Sequence, residues 1–162
     1  MRSWTRATKA PEAPLDALAI GSRFIGLREA PGLASHPDIL AMLRLDQPWP
    51  EGDHVPWCSA FLNYVAWLAG VPRSRSLLAR SWLAVGEPVA LQEARPGWDI
   101  AVLRAPGRGQ PDATVRDAPG HVGLYSSHSG SRIALLGGNQ SDAVNIAGFP
   151  LSRLLGLRRL RG

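Results

Sequence analysis

Apolar positions change texture part-way along the chain. From Pro14 to Arg28, Leu15, Leu18, Ala19 and Ile25 recur near helical spacing until Ala30-Pro31-Gly32 stops them, which predicts a first helix. Ser35-His36-Pro37-Asp38 reads as a cap and first turn, and Ile39, Leu40 and Leu43 form the apolar stripe of a short second helix. The strongest helix runs through PWCSAFLNYVAWLAG. Pro56 suits its start and Gly70 the position past its end, while Phe61, Val65 and Leu68 line one face beside Leu62, Ala66 and Ala69. A further helical pattern spans Ser76 to Val85 and is ended by Gly86.

Beyond Gly86 the apolar runs shorten and are parted by Gly and Pro, the pattern of strands. Ile100–Leu103, His121–Tyr125, Ile133–Leu136 and Leu157–Leu160 are the predicted strands. Helices first and strands afterwards predict an α+β domain whose sheet is antiparallel. The stretch Asp46–Asp53 and the longer, polar Ala105–Pro119 are expected as loops, and a loop as long as the second is often functional. Residues 1–13 are expected as a flexible N-terminal extension to a single domain over 14–162.

Composition narrows the class. With 162 residues, 45% hydrophobic content and a mean hydropathy of −0.06, the chain suits one globular core, and no apolar run reaches the ~18 residues of a membrane span. The net charge is +5 and the pI about 10.6, with Lys9 the only lysine. Such a balance favours an anionic partner without naming it. The basic residues are scattered except in the last stretch, LSRLLGLRRLRG, which is read as a final strand or helix with a solvated basic face. Pro, Glu and Asp interrupt the first twenty residues, so no secretory leader pattern is visible there.

Cys58 is the sole cysteine, so an internal disulfide is excluded and the thiol is either packing or a nucleophile. Its place in the first turn of the strongest helix puts it at the positive end of the helix dipole, which favours the thiolate. A hydrolase also needs an imidazole to hold the proton and return it to the leaving group. His121 opens the run GHVGLY, where a period of two sets His121, Gly123 and Tyr125 on one face and Val122 and Leu124 on the other, with Gly120 and Gly123 keeping the approach to the ring open. Asn139, at the end of IALLGGN, is expected to orient the imidazole from the neighbouring strand, with Asp142 as the carboxylate alternative. Trp57, Trp82 and Trp98 are candidates to line a groove or to pack the core. Glu29 is a candidate binding residue beside a surface ion-pair role. His36, His54 and His128 are read as cap, loop and turn residues.

These residues carry a resemblance. REAPG at Arg28–Gly32, WCSAF at Trp57–Phe61, ARSWL at Ala79–Leu83, GHVGLY at Gly120–Tyr125 and LGGNQ at Leu136–Gln140 occur in that order, and over about residues 15–160 the chain resembles the CHAP family of cysteine, histidine-dependent amidohydrolases and peptidases, in its compact phage-lysin-like branch. The resemblance implies a papain-like, NlpC-type fold, with N-terminal helices packed on the sheet. It implies a triad of Cys58, His121 and Asn139 cutting an amide bond in peptidoglycan, with Trp57, Trp82, Gln140 and Glu29 near the substrate. Many relatives read Pro-Gly-Asp ahead of the first long strand, whereas this chain has Pro96-Gly97-Trp98-Asp99. No Asp-rich calcium loop is present, so no metal and no cofactor are expected.

The reading is therefore a monomeric peptidoglycan hydrolase, an N-acetylmuramoyl-L-alanine amidase or a stem-peptide endopeptidase, serving as a lysin or an antibacterial effector. Its partner is bacterial peptidoglycan, with no nucleic acid and no membrane. It is expected to be made in the cytoplasm and to act at the wall or periplasm after export or lysis, with holin or secretion machinery or an immunity protein as accessory partners. The alternative is a non-catalytic basic module that binds cell wall or another polyanion.

Overall fold

A computed structural model describes residues 15–49 and 51–161, so the extension expected over 1–13 lies outside the described residues. Three α-helices, α1 (Ala17–Ser22), α2 (Pro37–Leu43) and α3 (Cys58–Ala69), precede a six-stranded sheet. Its strands are β1 (Glu87–Val89), β2 (Asp99–Arg104), β3 (Gly120–Ser129), β4 (Arg132–Gly137), β5 (Asn145–Pro150) and β6 (Leu154–Arg159). They lie in the order β1-β6-β2-β3-β4-β5, every neighbouring pair antiparallel. The α+β class and the antiparallel sheet are as the sequence predicts.

Alternation along the strands separates two cores. Ile100, Val102, Val122, Leu124 and Leu136 face the helices and pack with Phe61, Leu62 and Val65 of α3, Ile39 and Met42 of α2 and Ala17 of α1. Ala101, Leu103, Tyr125, Leu135 and Leu157 form a smaller cluster on the opposite face. Burying a Leu or Phe contributes roughly 1.5–3 kcal/mol, so the helix-side core supplies most of the fold's driving force. It also fixes α3, and with it Cys58, against the middle of the sheet. Gly70 closes α3 in the left-handed conformation (φ 67°), as its position past the helix end predicts.

Several boundaries differ from the sequence reading. α1 covers Ala17–Ser22 only, capped by Asp16 whose carboxylate accepts the Ala19 N–H at 2.7 Å. The chain then turns, and residues 26–29 pair with the segment after β4: Gly26 N–H donates to Val144 O (3.0 Å), Val144 N–H to Leu27 O (2.8 Å) and Glu29 N–H to Asp142 O (2.9 Å). Beyond Ser22, Phe24 in the turn and Leu27 in the extended stretch pack against the core, whereas Ile25 is 51% exposed. The expected helix over Ser76–Val85 shrinks to a 3-10 segment, Ala79–Ala84, because the Ser76 carbonyl is held by the Ser59 hydroxyl (2.6 Å) and the Asn63 amide (3.1 Å) of α3. β1 and β5 were missed; both are edge strands carrying Pro or Gly, which blurs alternation.

The last stretch forms β6 as expected, but Arg158 and Arg159 are paired with the protein instead of standing free in solvent. Arg159 donates to both oxygens of the buried Asp99 carboxylate (2.7 and 2.8 Å), and the Arg158 guanidinium to the Val85 carbonyl (2.8 Å) and to Gly86 O. Asp99 also accepts the Arg95 N–H at 2.8 Å, so the extra tryptophan of Pro96-Gly97-Trp98-Asp99 leaves its carboxylate anchoring the start of β2. Trp98 itself stacks under the Arg161 guanidinium, 4.7 Å from the ring centre.

Candidate active site

Cys58 is the first residue of α3, whose N-cap residue, Trp57, makes no side-chain cap bond. Unclaimed N–H groups of the first turn therefore surround the sulfur. Burial nevertheless dominates: only 3% of Cys58 is exposed, and removal from water pushes the thiol above its ordinary value while the backbone N–H groups of Val122, Ser59 and Cys58 pull the other way. Desolvation therefore acts against the thiolate that the helix start was expected to favour. The influence of the Val122 N–H sets the sulfur against the backbone of β3.

His121 pairs with Leu103 of β2, and Phe149 of β5 covers its ring at a centroid distance of 5.1 Å. Burial lowers its basicity most; a hydrogen bond to Gln140 raises it, and the Arg153 charge, 5.3 Å above the Phe149 ring, lowers it. The hydrogen-bond network fixes the imidazole tautomer. The Gln140 amide nitrogen donates to Leu135 O (3.2 Å), Asn145 O (2.7 Å) and Asn145 Oδ1 (2.9 Å), so its Oε1, 2.9 Å from His121 Nε2, is left to accept. Nε2 must carry the hydrogen, and Nδ1 is the basic nitrogen.

Gln140, not Asn139, is therefore the residue that orients His121. β4 ends at Gly137, so counting alternation through Gly138 to Asn139 fails; Asn139 is in the left-handed conformation (φ 55°). It lines a separate open concavity with Glu29, His54 and Asp142, and Asp142, exposed and at φ 59°, does not replace it. Each glycine of LGGNQ has a steric reason. A Cβ on Gly137 would lie 2.6 Å from Gln140 Oε1 and 3.3 Å from His121 Nε2, and one on Gly138 would lie 2.6 Å from the Trp57 ring. Gly120 and Gly123 serve packing rather than access to the ring: their Cβ positions face the Leu103 carbonyl at 2.7 Å and the Leu136 carbonyl at 3.0 Å.

The other candidates divide by burial. Trp57 and Trp82 are fully buried and cannot touch substrate. The Trp57 indole donates to Glu29 Oε1 (2.8 Å) and the Trp82 indole to Ser59 Oγ (2.9 Å), so both brace the start of α3. Glu29 is spent on that bond and on His54, 3.4 Å away, although it also borders the open concavity. Gln140 is 5% exposed and positions His121 instead of meeting substrate. His36 caps α2 through its side chain as expected, whereas His128 lies in β3, 2.7 Å from the Tyr125 hydroxyl.

A groove of about 410 Å³ opens at Cys58, walled by Trp49, Val55, Pro56, Leu77 and Leu78 on one side and by Asp117–Gly120 on the other. Arg80 of ARSWL, fully buried, builds the second wall: its guanidinium donates to the carbonyls of Pro111 (3.1 Å), Asp112 (2.6 Å), Val115 (3.0 Å) and Pro119 (3.0 Å). The end of the long loop predicted over Ala105–Pro119 thus borders the groove. Sequence reasoning missed the positioning roles of Gln140, Phe149, Asn145 and Arg80. Paired glycines ahead of Gln140 and an arginine inside an apolar string were the available signals. Among the described residues no cluster of His, Cys, Asp or Glu is arranged to hold a metal ion.

No family model and no curated protein matches the chain. The structure is similar to that of NlpC1 from Trichomonas vaginalis, with a TM-score of 0.53 and 15% identity over 98% of this chain. This chain shares that fold. The chain spans about half of NlpC1, 48% of its length.

Proposed function

We propose that the protein is a cysteine amidohydrolase of the CHAP type acting on peptidoglycan. The observation that carries the reading is the hydrogen bond by which Gln140 Oε1 fixes the His121 tautomer on β3, the strand whose Val122 N–H reaches the buried thiol at the start of α3. The NlpC-like fold and the five ordered motifs support it.

In this reading Cys58 and His121 rest as a neutral pair, because burial disfavours charge on both. As Cys58 Sγ bonds to the amide carbonyl carbon, its proton passes to His121 Nδ1, and the Cys58 backbone N–H stabilises the oxyanion. His121 returns the proton to the nitrogen as the C–N bond breaks, releasing the amine and leaving a thioester. Water, deprotonated by His121, then adds to the thioester and frees the acid and the thiol.

The test is mass spectrometry of purified peptidoglycan digested with the full chain or with Cys58→Ala. The reading requires new fragments from the wild type alone, carrying free amino groups at a cut amide. Identical fragment profiles from both proteins would refute it and favour a wall-binding module.

A further inference from the structure

Two concavities meet at Trp49. The groove of about 410 Å³ that Cys58 borders has walls of Trp49, Val55, Leu77 and Leu78 opposite Ala118 and Pro119, and a wider hollow of about 690 Å³ continues along Leu45 and Pro48, with Trp49 lining both. An apolar path therefore leads away from the sulfur. Trp49 is fixed along it, since its indole donates to Gly52 O (3.1 Å) and its carbonyl accepts the Arg44 Nε–H (3.0 Å). Leu78 is 49% exposed, a large apolar side chain left open to solvent at the groove. Charged groups at the margins are engaged elsewhere: Asp46 pairs with Arg73 at 3.0 Å, and Arg80, fully buried behind Pro119 and Gly120, donates to four loop carbonyls. Among the described residues that line the groove, Asp117 is the one acid and none is Lys or Arg. A surface of this kind rewards hydrocarbon, about fourfold in affinity for each methylene moved onto it from water.

We propose that the protein has a second activity, hydrolysis of esters of unbranched aliphatic acids, with the acyl chain lying in the groove and its far end passing Trp49 toward Leu45 and Pro48. This activity goes beyond the amide-hydrolase reading above and uses the same thiol and imidazole. Cys58 Sγ bonds to the ester carbonyl carbon as His121 takes the thiol proton. The C–O bond then breaks, the alcohol leaves with that proton, and the acyl group remains as a thioester. Water adds to the thioester carbonyl and gives a proton to His121, the C–S bond breaks, and the proton returns to the sulfur as the carboxylic acid departs. The groove holds the chain through both steps, so a longer chain lowers the barrier relative to free ester in water.

The experiment follows release of p-nitrophenol from p-nitrophenyl acetate, butyrate and hexanoate, one leaving group with three chain lengths, by the full chain. From acetate to hexanoate kcat/KM should rise at least ~10-fold, less than full burial of the added methylenes would give because the groove is open on one side. Cys58→Ala should release nothing above the rate in buffer. Leu78→Asn, a change at a half-exposed position, should shrink the hexanoate-to-acetate ratio at least ~3-fold. A flat or falling series, or a ratio unmoved by Leu78→Asn in a variant with wild-type melting behaviour, overturns the proposal. So does a flat series accompanied by faster cleavage of the N-acetyl-leucine than the N-acetyl-alanine p-nitrophenyl ester, which assigns the groove to a peptide side chain. No ester cleavage while peptidoglycan is digested overturns the second activity and leaves the amide reading standing, whereas ester cleavage with the expected series and no digestion of peptidoglycan supports the second activity and removes the first.

Discussion

Replacing Gln140 by Ala and Asn139 by Gly separates two residues that are adjacent in sequence and opposite in consequence. Gln140→Ala removes the acceptor 2.9 Å from His121 Nε2 and the three donor contacts that hold the amide in place. An orphaned imidazole N–H costs about 1–3 kcal/mol, which a domain with roughly 5–15 kcal/mol of stability survives, so the variant should fold with a lower Tm. With tautomer and ring orientation released, kcat/KM should fall by about 100-fold or more, the scale on which small misplacements of a catalytic group act. Because the Gln140 bond raises the basicity of His121 against burial, its loss should also move the acid limb of the pH profile to lower pH. Asn139→Gly keeps the left-handed backbone without strain and touches neither His121 nor Cys58, so its activity should stay within about threefold of wild type, or ~0.6 kcal/mol. Steady-state kinetics on soluble muramoyl peptides, with thermal melts of both variants, make the comparison. A large loss in Asn139→Gly together with near-normal Gln140→Ala would refute the relay.

Wild-type kcat/KM should fall to half on the acid side below pH 6.5, because burial holds His121 below that ordinary value; a midpoint above 7 in a pH–rate profile would contradict a neutral resting pair. The same shifts act on stability with opposite signs. The lowered His121 stabilises the fold fully above pH 6.5 and loses that contribution as pH falls through its folded value, while the raised Cys58 contributes fully below pH 9.0 and loses it as pH rises through its own. Chemical denaturation against pH should show the alkaline loss in wild type and a weaker one in Cys58→Ala. Arg80→Met leaves four carbonyls unpaired and should cost about 3 kcal/mol or more, with proteolytic cleavage appearing in 111–119; an unchanged proteolysis pattern would remove Arg80 from the loop's support. Gly138→Ala drives a methyl to 2.6 Å from the Trp57 ring and 2.7 Å from the Phe61 Cβ, and should lower stability by about 1–3 kcal/mol in a denaturant titration.

Local pattern carried the fold where burial is one-sided. α3 with its left-handed Gly70, and β2, β3 and β4 with strict alternation between two cores, were readable because each residue's environment follows from helical or strand period. Edge strands β1 and β5 were not, since they bury little and carry Pro or Gly. Cys58 and His121 stood out through their places at a helix start and in a buried strand. Gln140 did not: its reach to His121 depends on where β4 releases the chain, which is set by the close approach of Gly137 and Gly138 to His121 and Trp57. Nor does sequence reveal desolvation, which opposes the thiolate that the helix start was expected to favour. Of the two roles open to the tryptophans, Trp57 and Trp82 take core packing, turning their indole N–H groups inward to Glu29 and Ser59.

Covalent catalysis at Cys58 is the claim on which the rest depends, and trapping the acyl-enzyme tests it most directly. The protein is mixed with soluble muramoyl peptides, quenched in acid and mapped by mass spectrometry. The account predicts a hydroxylamine-labile adduct with the mass of the acyl fragment on the peptide containing Cys58, and none in Cys58→Ala. Undiminished product formation by Cys58→Ala, with no adduct on the wild-type cysteine, would contradict it.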